Sequence, residues 1–285
     1  MKWLNRKEYP FESNYIQIHG QNMHFIRQGK GETILFVHGT PSWSFDFRKI
    51  IKVLDRDYDC VAADHIGFGL SSKPKYYNYS TIQHSLSLEE FVQKTELQDI
   101  TLVVHDFGGP IGLSFAIKNP DLIKRLVILN SWLWSSEEDL DFKKFKKVLK
   151  NPILPFLYRY LNFSARFLLP ASFGDKKMSK DILLNYTRVF RNKNEREGTL
   201  AFAQSLLKDQ LWFEELWRNK HNIKNKPTLF IWGMKDNYIK PHYLDKFRKG
   251  FINNSVYKLD GCGHFPQEEE SEKVSNYILD FMRNS

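Results

Sequence analysis

The sequence has few of the features that mark disulfide-rich or membrane-spanning proteins. Only two cysteines occur in 285 residues, Cys60 and Cys262, and a single pair is too few for a disulfide framework. No apolar run approaches the roughly 18 residues that span a bilayer, and no apolar stretch follows the positive charges near the N-terminus. The sequence therefore predicts a cytoplasmic protein without a secretory signal or a transmembrane segment.

Acidic residues are fewer than basic ones. The chain has 42 Lys and Arg against 33 Asp and Glu, a net charge of +9 at pH 7. Such an excess can indicate a nucleic-acid partner, but no nucleic-acid-binding motif accompanies it. The densest cluster, residues 143–147, lies on a helix-like stretch and can form one solvated face. We expect no nucleic-acid partner and no membrane association, while an acidic partner surface stays open and the oligomeric state is unknown.

Short apolar runs alternate with helix-like segments over most of the chain. The runs are 33–37, 60–63, 100–104, 125–129, 228–232 and 255–259, preceded by two paired strands at 15–19 and 23–27. Several of these runs are continuous Val, Ile and Leu, which is typical of parallel strands buried on both faces. The pattern predicts an α/β fold, with a mostly parallel central sheet flanked by helices.

The alternation is interrupted between residues 131 and 221. This segment carries aromatic-rich, helix-like pieces separated by Pro152, Pro155 and Pro170, and it contains no convincing buried strand. We interpret it as an inserted helical cap. The predicted domains are an α/β core formed by 1–130 and 222–285, and a cap formed by 131–221. Since ligands of open α/β sheets bind beyond the carboxyl ends of the strands, the cap would roof the binding site.

Three polar residues follow predicted buried strands in the order nucleophile, acid, histidine. Asp106 follows the strand at 100–104, Asp236 follows 228–232, and His264 follows the last strand in a glycine-rich turn. This is the order that α/β-hydrolases use for their catalytic triad. Each residue alone could be structural, but chance placement of all three is improbable. They are the candidate catalytic residues.

The segment around Asp106 has the composition of a sharp turn between a strand and a helix. Gly108 and Gly109 supply the small neighbours that such a turn needs, although Val104 stands where the G-x-S-x-G motif has its first glycine. The following helix would direct its N-terminal N–H groups at the turn and stabilise negative charge there.

A second loop, His38-Gly39-Thr40-Pro41, follows the strand at 33–37. Its X-Pro bond in a tight turn is a candidate for the cis form. The turn would direct the Thr40 N–H toward the nucleophile. Together with the Phe107 N–H, it would form an oxyanion hole, the pair of donors that receives developing negative charge.

These motifs resemble the haloalkane dehalogenase and epoxide hydrolase branch of the α/β-hydrolases over nearly the whole chain. The matching stretches are 38–45, 64–71, 100–109, 233–236 and 263–265. The resemblance implies the α/β-hydrolase fold and a reaction in which Asp106 forms an alkyl ester that a His264-activated water hydrolyses. It implies a small-molecule substrate and water as reactants, without a metal or an organic cofactor.

The sequence departs from the dehalogenases at both halide-binding positions. Phe107 replaces the tryptophan that typically follows the nucleophile, and Thr40 replaces the Asn or Glu of the H-G-x-P motif. The Thr40 hydroxyl is one substitute donor, and an indole N–H is another, from Trp132, Trp134, Trp212 or Trp217. Fluoroacetate dehalogenases have an arginine after the nucleophile, so Phe107 argues against that activity.

Epoxide hydrolysis remains the alternative, with Tyr158, Tyr160 and Tyr186 as candidates to donate a hydrogen bond to an epoxide oxygen. Residues 233–236 and 100–109 fit the dehalogenase side better. A ligand-binding receptor and a cofactor-free oxygenase on the same fold are further alternatives, whereas Asp106 at the turn disfavours a serine esterase. An apolar pocket lined by cap residues would fit an uncharged organic substrate; the predicted lining residues are Trp132, Trp134, Phe163, Phe167 and Leu168.

Overall fold

The computed structural model describes residues 3–285. Met1 and Lys2 begin the segment in which no secretory signal is predicted, and they lie outside the described residues. Within 3–285, no helix is long and apolar enough to cross a membrane.

Eight strands form one sheet in the order β1-β2-β4-β3-β5-β6-β7-β8. The strands are β1 (Asn14–Ile18), β2 (Gln21–Gln28), β3 (Thr33–Val37), β4 (Asp59–Ala63), β5 (Ile100–Asp106), β6 (Ile123–Ser131), β7 (Thr228–Gly233) and β8 (Asn254–Leu259). β1 pairs with β2 and β2 with β4 in antiparallel fashion, and the other neighbours are parallel. The predicted α/β class with a mostly parallel sheet is confirmed.

The central strands are apolar because helices cover both of their faces. Every residue of β3, β4, β5 and β7 is buried, whereas the edge strand β8 is half-exposed. Parallel strands end at the same edge of a sheet, so the loops after β3, β5, β6, β7 and β8 meet there.

Twelve α-helices connect and cover the strands. They are α1 (Arg48–Leu54), α2 (Thr81–Thr95), α3 (Gly108–Lys118), α4 (Leu140–Leu149), α5 (Leu154–Leu161), α6 (Leu169–Ala171), α7 (Lys180–Thr187), α8 (Glu197–Lys208), α9 (Gln210–Asn219), α10 (Pro241–Gly250), α11 (Pro266–Glu269) and α12 (Ser271–Asn284), the count referring to residues 3–285. Ser80 caps α2, because its hydroxyl accepts a hydrogen bond from the Gln83 N–H at 3.2 Å.

Extra helices occupy the middle region of the chain, between β6 and β7. They are α4 to α9, with a π-helical turn at Ser164–Leu168. Part of this region has a small apolar core of its own, formed by Phe142, Leu149, Leu154, Tyr158, Leu200 and Ala203. The insertion of helices agrees with the sequence interpretation, and the exact cap bounds of 131 and 221 stay a prediction.

Candidate active site

Asp106 is the last residue of β5 and lies on a sharp turn into α3. Its φ of 52° is in the left-handed region, which a residue with a side chain rarely adopts. The turn is tight enough to exclude side chains at the two following glycines: a Cβ on Gly108 would overlap the Val37 carbonyl oxygen, and one on Gly109 would overlap the Ser131 hydroxyl. The Ser131 hydroxyl donates a hydrogen bond to the Asp106 carbonyl oxygen at 2.7 Å. The predicted sharp turn is therefore present.

The two carboxylate oxygens of Asp106 face different partners. The Thr40 N–H donates to Oδ1 at 2.8 Å, and Oδ2 lies 3.4 Å from Nε2 of His264. A Cβ on Gly39 would overlap the Asp106 side chain, so the loop after β3 must carry glycine there. The Thr40–Pro41 bond is cis, as predicted. Phe107 is the N-cap residue of α3, at the helix end where backbone N–H groups have no acceptor within the helix.

His264 and Asp236 form a hydrogen-bonded pair behind Asp106. Nδ1 of His264 lies 2.7 Å from Oδ2 of Asp236. Because an ionised carboxylate only accepts hydrogen bonds, Nδ1 carries a proton and Nε2 is directed at Asp106. Asp236 is nearly fully buried, and it also accepts hydrogen bonds from the N–H groups of Tyr238 at 2.7 Å and Ile239 at 3.0 Å.

The buried charges of the site shift its titration in a defined direction. Burial alone would lower the pKa of His264, but the Asp236 and Asp106 carboxylates outweigh it and raise this pKa to about 10. Burial would raise the pKa of Asp236, yet the charge and hydrogen bond of His264 and the two backbone N–H groups hold it below its usual value. The surrounding carboxylates therefore favour the protonated form of His264 at neutral pH.

Sequence reasoning missed three polar residues next to these side chains. Asn130, near the end of β6, donates to Oδ2 of Asp236 at 2.8 Å and accepts from the Gly233 N–H at 2.8 Å. His105 donates through Nε2 to the His264 carbonyl oxygen at 2.7 Å, and its Nδ1 lies 3.6 Å from the buried Asp46 carboxylate. A polar residue at the end of an otherwise apolar strand was the available signal for Asn130 and His105; nothing in the sequence connects Asp46 to them.

A cavity of about 280 Å³ lies over the Asp106 carboxylate. Thr40, Asp106, Phe107 and His264 line it from the sheet side, and the inserted helices supply most of the opposite wall. The wall residues from those helices are Asp141, Phe142, Phe145, Leu149, Tyr158, Ser164, Leu168, Leu169, Ala203 and Leu206. The lining is mainly apolar, as in binding sites for small organic molecules. Its charged and histidine side chains are Asp106, His264, Asp141, Lys240 and His242.

Comparison with known proteins gives the same fold and relates the chain to characterised enzymes. A family model described as "alpha/beta hydrolase fold" matches residues 32–271. The chain belongs to the α/β-hydrolase fold family. It is 31% identical to haloalkane dehalogenase 2 of Mycobacterium tuberculosis over 274 residues, which cover 95% of each chain. This relationship places it in the haloalkane dehalogenase-like branch of the hydrolases.

Two further relatives extend the comparison. The hydrolase is 32% identical over 282 residues to the cis-3-alkyl-4-alkyloxetan-2-one decarboxylase of Shewanella oneidensis, covering 96% of this chain and 89% of that one. Its fold matches the crystal structure of haloalkane dehalogenase DatA from Agrobacterium tumefaciens with a TM-score of 0.86 and 23% identity, over 96% of this chain and 97% of that chain.

Two of the five predicted lining residues of this α/β-hydrolase lie on the cavity and three do not. Trp132 and Leu168 line it. Trp134 instead packs in a separate aromatic cluster, with Trp217 at 4.9 Å and Phe247 at 4.8 Å between ring centroids. Phe167 is half-exposed, and its ring lies 5.5 Å from that of Phe163, which supports the cap core from outside the cavity. The predicted lining by Trp134, Phe163 and Phe167 is corrected accordingly.

Few of the residues predicted to donate a hydrogen bond to the leaving group lie on the cavity. Among the four candidate tryptophans, Trp132 lines the cavity and Trp134, Trp212 and Trp217 do not. Among the three tyrosines, Tyr158 lines it. Tyr160 is exposed, and the Tyr186 hydroxyl donates to Asp46 at 3.1 Å, away from the cavity. Within residues 3–285, no group of three or more His, Cys, Asp or Glu side chains could hold a metal ion.

Proposed function

We propose that the protein is a haloalkane dehalogenase-like hydrolase of small to medium apolar substrates, with Asp106 as nucleophile, His264 as base and Asp236 as its orienting acid. The main support for the proposal is that the two carboxylate oxygens of Asp106 have different partners. The Thr40 N–H holds Oδ1, Oδ2 lies near His264 Nε2, and the residue lines the cavity. A carboxylate oxygen in this position can attack a saturated carbon, forming a C–O bond as the carbon–halogen bond breaks and the halide leaves.

The second step is hydrolysis of the ester, and charge explains why it follows the first. The Asp106 carboxylate contributes to keeping His264 protonated in the free enzyme. Alkylation makes Asp106 neutral, so this contribution is lost and the pKa of His264 falls. His264 can then accept a proton from water through Nε2 while the water oxygen attacks the Asp106 side-chain carbonyl carbon. The Thr40 and Phe107 N–H groups would hold the oxyanion, and collapse releases an alcohol.

Leaving-group stabilisation in this chain would come from residues other than Phe107. The Trp132 indole and the Tyr158 hydroxyl line the cavity. The Thr40 hydroxyl is buried and has no hydrogen-bond partner within residues 3–285. A halide could accept hydrogen bonds from these groups. Tyr158 also supports the alternative of epoxide opening, since the phenol could donate to the ring oxygen.

Opening of a four-membered lactone is a second candidate, supported by the 32% identity to the Shewanella decarboxylase. Attack of Asp106 on C4 of an oxetan-2-one would break the C4–O bond and free the ring carboxylate. Loss of CO2 would then form the alkene and expel the Asp106 carboxylate. These two steps regenerate the Asp106 carboxylate without water, so His264 would not be needed as a base.

The test is a His264→Phe variant, incubated separately with pooled haloalkanes, epoxides and cis-dialkyl oxetanones and followed by intact-mass spectrometry and gas chromatography. His221→Phe is the matched control, because His221 is exposed and its ring hydrogen-bonds to the Arg218 carbonyl oxygen, outside the cavity lining. We expect an alkyl adduct on Asp106 in His264→Phe and none in the control, since the control can still hydrolyse the ester.

Each substrate class gives a separate result. A hydroxyalkyl adduct would assign epoxide opening, and alkene release by both variants would assign lactone decarboxylation. A folded His264→Phe protein with no adduct and no alkene would contradict the proposal and favour a ligand receptor or a cofactor-free oxygenase.

A further inference from the structure

The inserted region contains a long segment with basic residues only. No Asp or Glu occurs between residues 142 and 174, while this segment carries Lys143, Lys144, Lys146, Lys147, Lys150, Arg159 and Arg166. It comprises most of α4, all of α5 and the π-helical turn. The strongest local excess of positive charge therefore lies on the helices above the cavity.

Helices α4 and α5 bury one side and expose the other. On the inner side, Phe142, Leu149, Leu154 and Tyr158 pack into the small apolar core with residues of α8. The opposite side of the two helices carries the exposed apolar side chains Leu140, Val148, Phe156 and Tyr160. With the exposed Ile153 before α5 and Phe167 in the π-helical turn, they form what we call the outer face. Leu140 is 75% exposed, and Phe156 and Tyr160, stacked at 4.9 Å, are 51% and 53% exposed. Large apolar side chains grouped in this way favour contact with another surface.

Several cations next to the outer face have no acidic partner. Lys143 and Lys146 pair with Glu138 and Glu137, and Arg159 pairs with Glu197. Exposed Lys144, Lys147, Lys150 and Arg166 make no ion pair with any residue in 3–285. Their charge is available to an external anionic surface.

We propose that the outer face docks on the surface of an anionic lipid bilayer. A solvated helix face would account for the lysines but not for the exposed Ile153, Phe156 and Tyr160 that follow them. Amphipathic helices with basic residues beside exposed aromatic and aliphatic ones lie in the membrane interface, where lipid phosphates meet the cations and acyl chains meet the apolar groups. The proposal replaces the sequence-based expectation of no membrane association.

Charge complementarity favours lipid over other partners. A second copy of the chain seated face to face would bring the four free cations against each other. A nucleic acid would match the charge but would leave the apolar side chains exposed to water. An anionic surface with an apolar layer beneath it satisfies both kinds of side chain.

The outer face also has a functional position. The inner sides of the same helices supply Phe142, Phe145, Leu149 and Tyr158 to the cavity wall. Docking would therefore bring the bilayer, in which apolar compounds concentrate, next to the cavity that holds Asp106. This link to substrate supply rests on the proposed function, whereas the docking itself does not.

The experiment measures flotation of the full chain with two kinds of vesicle, pure phosphatidylcholine and phosphatidylcholine containing one third phosphatidylglycerol. The test variant is Lys144→Gln/Lys147→Gln/Lys150→Gln. The control is Lys30→Gln/Lys249→Gln/Lys258→Gln, which removes equal charge from exposed lysines outside the inserted helices. We expect binding to the anionic vesicles only, weakened by added salt and reduced about tenfold or more in the test variant but far less in the control.

A second variant, Phe156→Ser/Tyr160→Ser, keeps the charge and should also lose most of the binding. Equal loss in the two lysine variants would indicate nonspecific attraction and overturn the proposal, as would no binding by the unaltered chain. A stable dimer that Phe156→Ser/Tyr160→Ser converts to monomer would assign the outer face to a second copy instead. Hydrolysis of a water-soluble substrate without lipid should be the same in all variants, so failure of docking and failure of the proposed function are separable.

Discussion

The carboxyl edge of the sheet and the inserted helices meet at one cavity but are built in different ways. At the sheet edge, the carboxylates of Asp106 and Asp236 are buried and have defined hydrogen-bond partners. In the inserted region, lysines of α4 and aromatic side chains of α5 are exposed, and the cavity wall consists mostly of apolar side chains. The first region is suited to bond-making chemistry and the second to recognition of an apolar molecule.

The difference originates in the backbone. Parallel strands hold their ends in register: β5 pairs with β3 as far as Val104 and with β6 as far as Asp106, so the end of the strand has a defined position. The side chains of a helix are placed by whatever the helix packs against, and α4 and α5 pack mainly on α8. We expect substitutions at the sheet edge to change rate by large factors and those in the inserted helices to change which substrate is accepted.

The largest effect is predicted for Asp236→Asn. The neutral amide of Asn lacks the negative charge that holds the Nδ1–H of His264 and stabilises the His264 cation. Ester hydrolysis should therefore slow by about 10³- to 10⁴-fold. Alkylation of Asp106 should continue, and the ester should accumulate in rapid-quench mass spectrometry. Asp245→Asn, on the exposed side of α10, is the control and should leave the rate unchanged. A parallel loss of both steps would show that Asp236 acts on folding rather than on His264.

A smaller effect is predicted for filling the cavity from the inserted helices. Leu168 lines the cavity and its neighbour Phe167 does not. Leu168→Trp should raise KM for long-chain substrates by roughly 10- to 100-fold and alter short ones little, because the added volume takes up space where the longer chain lies. Phe167→Trp should change neither, when measured in lipid-free buffer. Equal effects of the two substitutions would mean that the wall moves to accommodate them.

A third prediction concerns the leaving group and compares two neighbouring tryptophans. Trp132→Phe removes an indole N–H from the cavity wall and should slow release of chloride by about tenfold, the size expected for one hydrogen bond to an anion. Trp134→Phe, in the aromatic cluster outside the cavity, should stay within about twofold. Single-turnover halide release measures both variants. Similar rates for the two would indicate that Tyr158 or Thr40, and not Trp132, donates the hydrogen bond to the departing halide.

The same contrast explains what the sequence could predict. Asp106, Asp236 and His264 were identifiable because each follows an apolar strand, and the order of strands along the chain implied that their ends converge. Phe163 and Phe167 were misassigned because helical spacing groups side chains on a face without saying which face turns inward. The π-helical turn at Ser164–Leu168 places Ser164 and Leu168 on the cavity instead. Trp134 was misassigned because its partners, Trp217 and Phe247, are distant in sequence.

The smallest effects on activity are predicted for substitutions of two carboxylates buried in the core, Asp46 and Asp64. Their contributions to the stability of the folded protein should change with pH in opposite directions. Burial raises the pKa of Asp46 to about 7. The folded protein therefore binds this proton more tightly than the unfolded chain, and stability falls as pH rises from about 4 to about 7. Asn cannot ionise, so Asp46→Asn should be more stable than the parent above pH 7, by up to about 4 kcal/mol, and no more stable below pH 4.

Asp64 is as deeply buried, but its surroundings reverse the sign. Burial alone would raise the pKa of Asp64. His24 at 2.8 Å and the hydrogen bond from the Leu70 N–H lower this pKa by more than burial raises it, so the pKa in the folded protein lies below that in the unfolded chain. Its contribution to stability is present at neutral pH and is lost as pH falls through the folded pKa. Asp64→Asn should therefore destabilise the protein at pH 7 and have little effect in acid. Urea unfolding of both variants at pH 8, where the two effects should have opposite signs, and at about pH 3, where both should be small, tests the pair. Changes of the same sign would mean that burial alone, and not the hydrogen-bond partners, decides how a carboxylate behaves in this core.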